Sequence, residues 1–194
     1  MGDHKDHNDR NDRNDRKDDA DDPEARAREI CLRLLTLAPR TRAQLTDALR
    51  KRGIPDTVAA GVLDRYADVG LIDDAAFARA WVESRHYSRG LAGRALAAEL
   101  KQRGIDSGEI RDAIEELGPA AEVSTARKLV AQRLACTRGE PAQARTRRLA
   151  GMLARKGYPP GLAFRVIREA LEAEGADAAL EEEPYFDHPD MCTE

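Results

Sequence analysis

Between residues 23 and 173, apolar side chains return every three or four positions, as in Ala27, Ile30, Leu34 and Ala38. No stretch shows the period of two expected of a half-buried strand. The spacing predicts helices over 23–38, 41–52, 56–69, 74–88, 91–103, 107–117, 121–137, 141–156 and 160–173. Their ends are legible. Asp22-Pro23-Glu24 supplies an N-cap followed by proline at the first helical position, and Pro39 closes that helix. Thr41 with Gln44 has the spacing of a capping box. Gly70 ends a helix, Asp73 caps the next, and Ile72 can staple to Phe77.

The helices repeat. Leu45-x-x-x-Leu49-Arg-Lys-Arg-Gly53-Ile54 recurs as Leu96-x-x-x-Leu100-Lys-Gln-Arg-Gly104-Ile105 and as Leu149-x-x-x-Leu153-Ala-Arg-Lys-Gly157-Tyr158, at periods of 51 and then 53 residues. Each copy reads as a helix C-terminus. The glycine takes the left-handed position, and the apolar residue after it pairs with the leucine four before the glycine. Ten residues after each glycine stands a large apolar residue, Leu63, Ile114 or Ile167, so the following helix repeats too. The fold class expected is all-α: a tandem array of three three-helix repeats, over 23–72, 73–118 and 119–173. Units this small gain stability by stacking, which predicts an elongated, curved body.

Charge separates the two ends from this array. Residues 1–22 hold five Lys or Arg against nine Asp and no run of apolar residues, so a disordered polar tail is expected there. Residues 174–194 hold eight carboxylates and no Lys or Arg, an acidic tail broken by Pro184-Tyr185-Phe186. The whole-chain net charge of −4 hides a segment, 119–173, in which eleven cations face four anions. That +7 suits a polyanion, whether nucleic-acid phosphates or the acidic face of a protein. The tail beyond Glu174 could fold back on these neighbouring cations.

Candidate chemistry is sparse. Asp73-Asp74 could bind a metal, but a helix N-terminus needs an acceptor at that place. His4 and His7 have metal-like spacing without a second pair of ligands, and His86 and His188 have no evident partner. Cys31, Cys136 and Cys192 form neither a C-x-x-C pair nor a disulfide framework. Cys31, on an apolar helix face, reads as a buried thiol, and Phe77 and Trp81 read as core rather than as a base-stacking platform. No catalytic residues, metal or cofactor are expected. With no apolar run long enough for a membrane span and no signal-peptide pattern, a cytoplasmic protein is expected.

The remaining candidates are cations on helices: Arg50, Lys51 and Arg52; Lys101 and Arg103; Arg145, Arg147, Arg148, Arg155 and Lys156; then Arg165 and Arg168. In the last turns of helices such residues also complement the helix dipole, so a structural and a binding role stand side by side.

Gly70-Leu71-Ile72-Asp73-Asp74-Ala75-Ala76-Phe77-Ala78-Arg79 resembles the G-L-[IL]-[DN]-D-x-x-[FY]-A signature of the RecX family. Arg85, Gly90 and Glu99-Leu100-Lys101-Gln102-Arg103-Gly104-Ile105 follow as in that family. Arg40 to Leu45 and Leu153 to Tyr158 are similar to its R-[ST]-x-x-[EQ]-L and L-x-[RK]-[RK]-G-[FY] motifs. The resemblance covers residues 24–173; both charged tails depart from the family pattern. It implies three-helix repeats in which Gly70, Leu71, Asp73, Asp74, Phe77, Ala78, Gly53, Gly104 and Gly157 are mainly structural. It also implies a non-enzymatic monomer that lodges in the groove of the RecA filament. Such a protein would restrain filament extension, ATP hydrolysis, strand exchange and SOS co-protease activity, touching DNA weakly or through the filament. A competing expectation, from the basic third repeat, is a helical regulator that binds bare DNA on its own.

Overall fold

A computed structural model describes residues 22–181, with side chains through Gly175. Among the described residues every regular element is helical. The helices are α1 (Pro23–Leu37), α2 (Arg42–Arg50), α3 (Asp56–Asp68), α4 (Asp74–Arg89) and α5 (Gly93–Lys101), then a run Ser107–Leu134, then α8 (Ala142–Arg155) and α9 (Pro160–Glu181). The run Ser107–Leu134 is interrupted at Gly118, with φ 72° and ψ 151°, and Pro119 follows it. It is therefore two helices, α6 (107–117) and α7 (119–134), the second opened by proline at its first position. A 3₁₀ turn, Ala135–Thr137, follows α7.

The caps form as the side chains dictate. The Asp22 carboxylate accepts the Glu24 N–H. Thr41 and Gln44 complete a reciprocal capping box, and the Asp73 carboxylate accepts the Ala76 N–H at 2.7 Å. Asp74 has a further task. Its carboxylate accepts the Arg42 N–H at 2.9 Å, capping α2 from another helix.

The thrice-repeated ending folds the same way each time. The amides of Ile54, Ile105 and Tyr158 donate to the carbonyls of Leu49, Leu100 and Leu153, and those of Gly53, Gly104 and Gly157 to Arg50, Lys101 and Ala154. These are the two bonds of a Schellman motif, and the three glycines have φ of 75°, 76° and 89°. All six apolar partners of these endings are buried.

The chain gathers into two compact bodies. One comprises the described residues up to Ser88 together with Leu96–Leu117, the other Arg89–Ala95 together with the described residues from Gly118. A core in the first joins Ala27, Ile30 and Cys31 to Leu45, Leu49, Ile54, Val62, Leu63 and Ile72. The core of the second joins Ala92, Ala126 and Val130 to Leu149, Leu153, Tyr158, Val166 and Ile167. Ala78, Val82, Leu96, Leu100, Ile105, Ile110 and Ala113 are buried as well.

Each body contains a joint made by a helix ending. In the first, the Thr41 hydroxyl donates to the Arg103 carbonyl at 2.7 Å. In the second, the Ala92 amide donates to the Lys156 carbonyl at 2.9 Å. Those carbonyls belong to the residues just before Gly104 and Gly157. A Cβ at Gly104 would lie 2.3 Å from the Ala43 Cβ, and one at Gly157 would lie 2.5 Å from the Ala95 nitrogen. Backbone approaches that closely only where the side chain is hydrogen.

Most helix bounds fall within three residues of expectation, and one differs by more. Helix α9 runs to Glu181 rather than ending at 173, so residues 174–181 are helical. The alanines at 173, 176, 178 and 179 favour continuation, and Glu174 is held by two arginines described below. Of the expected polar tail only Asp22 is described; residues 182–194 of the acidic tail, with Cys192 and His188, lie outside the described residues, as do His4 and His7.

The glycines separate two costs. A Cβ at Gly53 meets nothing within 4 Å, so Gly53→Ala is expected to lose only about 1–2 kcal/mol from left-handed strain. Gly104→Ala and Gly157→Ala add overpacking of about 1–3 kcal/mol each. Urea denaturation of the three variants checks the order; equal midpoints would refute it.

Candidate partner-binding surfaces

The cations at the helix endings divide by what they touch. Lys51, Arg52 and Lys101 are exposed. Arg52 donates to the Ala48 carbonyl at 2.9 Å, as a basic group just beyond the end of α2 can. Arg50 lies 3.4 Å from Asp56 and 3.8 Å from Asp47. In the second body Arg147, Arg155 and Arg165 are exposed. Arg148 pairs with Glu140 and Arg168 with Glu172. Exposed pairs of this kind contribute little to stability and can exchange partners.

Three of the candidate cations are built into the fold. Arg145 is only 14% exposed and pairs with Glu174, while its Nε donates to the Thr137 hydroxyl at 3.0 Å. Arg138 joins the same carboxylate at 3.0 Å. Hydrogen bonds from Arg145 and then Arg138 hold the Glu174 carboxyl below the ordinary carboxylate range. Lys156 is half-buried and its Nζ donates to the Arg89 carbonyl at 2.6 Å. Arg103 lies over the Trp81 ring at 3.6 Å and donates to the Glu99 carbonyl at 2.7 Å.

That last contact belongs to a surface that sequence reasoning missed. Phe77 and Trp81 stack with centroids 5.7 Å apart and planes 11° apart. Arg85 lies over the same indole at 4.2 Å, and the indole N–H donates to the Glu99 carboxylate at 2.9 Å. Both aromatics were expected in the core; both are half-buried and line an open groove of about 710 Å³. The amphipathic indole and its two guanidiniums explain why it stays at the surface. The available signal was the i, i+4, i+8 spacing of Phe77, Trp81 and Arg85 on one face of α4. Leu71, in the family-like signature, is 49% exposed and lines this groove with Gly70 and Asp73, whereas Ala78 is fully buried.

The remaining chemical candidates are placed inward. Cys31 is buried, and burial pushes its thiol pKa up, away from reactivity. Cys136 is exposed. His86 is 1% exposed and meets the Tyr87 ring edge-on. Among the described residues, no group of three or more His, Cys, Asp or Glu is placed to hold a metal ion, and no helix is long and apolar enough to cross a membrane.

The fold and these surfaces define a class: an all-helical protein of repeated three-helix units with exposed cations and an aromatic-lined groove. Three family models match in order: RecX first three-helix domain at residues 27–65, second at 73–114 and third at 120–167. The chain belongs to the RecX family. It is 66% identical over 153 residues to regulatory protein RecX of Thermobifida fusca, covering 79% of this chain and 83% of that protein. It is 59% identical to regulatory protein RecX of Streptomyces coelicolor, covering 80% and 82%. In fold it is similar to the crystal structure of RecX from Lactobacillus salivarius, with TM-score 0.72 and 19% identity over 76% of this chain and 96% of that one.

Tyr158 offers a spectroscopic handle on the second body. Burial, and then the nearby Glu122 carboxylate, push its phenol up to about 12, and the hydroxyl donates to the Gly90 carbonyl at 3.2 Å. With the folded pKa above the unfolded one, this contribution to stability is complete below about 10 and lost as pH rises towards 12. Absorbance titration is expected to show a last phenolate near 12 that vanishes in Tyr158→Phe. Its persistence would contradict the assignment.

The acid side tests the Arg145–Glu174 pair. A depressed carboxyl adds stability above its unfolded pKa and loses it as pH falls through the folded value. Glu174→Gln is expected to lower the thermal midpoint at neutral pH and flatten its acid decline; an unchanged pH profile would argue against the pair.

Proposed function

We propose that this chain binds the RecA recombinase filament on DNA and restrains it, limiting filament extension, ATP hydrolysis, strand exchange and SOS co-protease activity. The observation that carries this reading is the ordered match of all three RecX domains across residues 27–167. The chain's relatives are named regulatory proteins, and its exposed cations suit an acidic partner. In this reading it acts in the cytoplasm, as a monomer, without a cofactor, and it modulates recombinational DNA repair.

Repeated units suit such a partner, because a filament also repeats and several small contacts can add without any one being tight. The exposed cations Lys51, Arg52, Lys101, Arg147 and Arg155 supply electrostatic attraction to an acidic protein face or to phosphates. Arg145 and Lys156 contribute through the fold that positions these groups.

The test is a RecA ATPase assay on single-stranded DNA with increasing amounts of the chain. Inhibition is expected below one chain per RecA protomer; none up to that ratio would overturn the reading. Reversing charge at Arg147, Arg148 and Arg155 is expected to weaken filament binding by about tenfold while helicity is retained. Tight binding to bare duplex with a steep salt dependence, unaffected by RecA, would instead favour an independent DNA-binding regulator.

A further inference from the structure

The groove in the first body lies between the end of α1, the start of α4 and the residues after α5. Its apolar lining includes Leu35, Pro39, Leu71 and Ala80 beside the Phe77–Trp81 stack. Arg40, Arg85 and Arg103 line it with one lining carboxylate, Asp73, which already caps the Ala76 amide, while the Glu99 carboxylate that accepts the indole N–H lies 3.9 Å from Arg85 and offsets part of that charge. Two of the guanidiniums are held over the indole, so their charge is fixed in place before any ligand arrives. The third has an unmet need: the Arg40 Nε is buried without a hydrogen-bond partner. A buried donor left unsatisfied is unfavourable.

We propose that this groove docks an acidic, apolar-anchored segment of the partner protein. An aliphatic or aromatic side chain seats between Leu71 and the Phe77–Trp81 stack, and neighbouring carboxylates face Arg40, Arg85 and Arg103. This deepens the preceding reading and rests on it, since it takes the partner to be the protein filament. Nucleic acid fits less well. The indole is already covered by two guanidiniums and stacked on Phe77, which removes an open face for a base. The aliphatic lining offers nothing to a phosphate. Within this chain, Glu181-Glu182-Glu183-Pro184-Tyr185-Phe186-Asp187 has similar chemistry. It lies beyond residue 167, where the family matches end, whereas the Phe77, Trp81, Arg85 and Arg103 wall lies inside the second. A role shared by the family must use what the family models contain.

The experiment uses the full chain and a RecA filament assembled on an oligo(dT) strand. A photoreactive benzophenone amino acid replaces the exposed Ala80, and cross-linked products are mapped by mass spectrometry. In parallel, the double variant Leu71→Glu, Ala80→Glu is titrated against the same filament, with its helicity checked by circular dichroism. Expected are cross-links to an acidic segment of RecA and an affinity loss of about tenfold or more at unchanged helicity, as for the centre of an interface. Cross-links to the oligonucleotide, to residues 182–194 or to a second copy of the chain would overturn the proposal. So would filament binding by the folded double variant within about twofold of the parent. The cross-linking arm decides the matter if the double variant does not fold. If the parent chain neither binds nor inhibits the filament, the reading of the partner fails and the docking proposal falls with it. If the parent binds and inhibits while the groove is indifferent, only the docking proposal fails.

Discussion

Carbonyl groups left over at the end of a helix are the constraint on which this structure turns. A helix cannot satisfy its last C=O groups internally, and burying them unpaired is costly. In the first body the leftover carbonyl of Arg103 is taken by the Thr41 hydroxyl, and in the second the carbonyl of Lys156 by the Ala92 amide. Thr41 and Ala92 stand 51 residues apart, one repeat, and so do the alanines that crowd Gly104 and Gly157 to within one position. One chemical need, met twice in the same manner, sets how a helix ending seats against the repeat before it. Capping, tight glycine contact and leucine burial are then parts of a single joint.

That joint explains why a run of basic residues can have several roles. Three positions before Gly104 and Gly157 and those that follow them must reach the end of a helix dipole, fill a wall or face water. Arg103 and Lys156 are drawn into the fold because their own backbone carbonyls make the joint. Arg145 is drawn in by a different need, since it shares with Arg138 the task of pairing the half-buried Glu174 carboxylate. Lys51, Lys101 and Arg155 stand one residue away or more and remain exposed. The exposed cations are thus the side chains that the stacking geometry leaves over.

Much of the fold was legible because helix ends are local chemistry. Thr41-Gln44, Asp73 and the three Leu-to-Gly endings depend on neighbours within five residues, and each forms as their spacing dictates. The end of α9 was not legible, because it depends on Arg138 and Arg145, some thirty residues away, meeting Glu174. The surfaces were legible only as composition. Charge on Arg147 and Arg145 looks alike in a sequence, and only packing shows one exposed and the other 14% exposed. Phe77 and Trp81 read as core because size and apolarity suggest burial; that Arg85 of α4 and Arg103 from beyond the end of α5 would both lie over the indole is a long-range fact.

The indole of Trp81 is the chain's sole tryptophan. Its emission therefore comes from one address, the floor of a groove where two cations already perturb the ring. Any event that displaces Arg85 or Arg103, or dries that floor, changes the colour and lifetime of the light from the whole protein. The molecule carries its own optical gauge at the place where docking would be felt, with no dye to attach and no second indole to subtract.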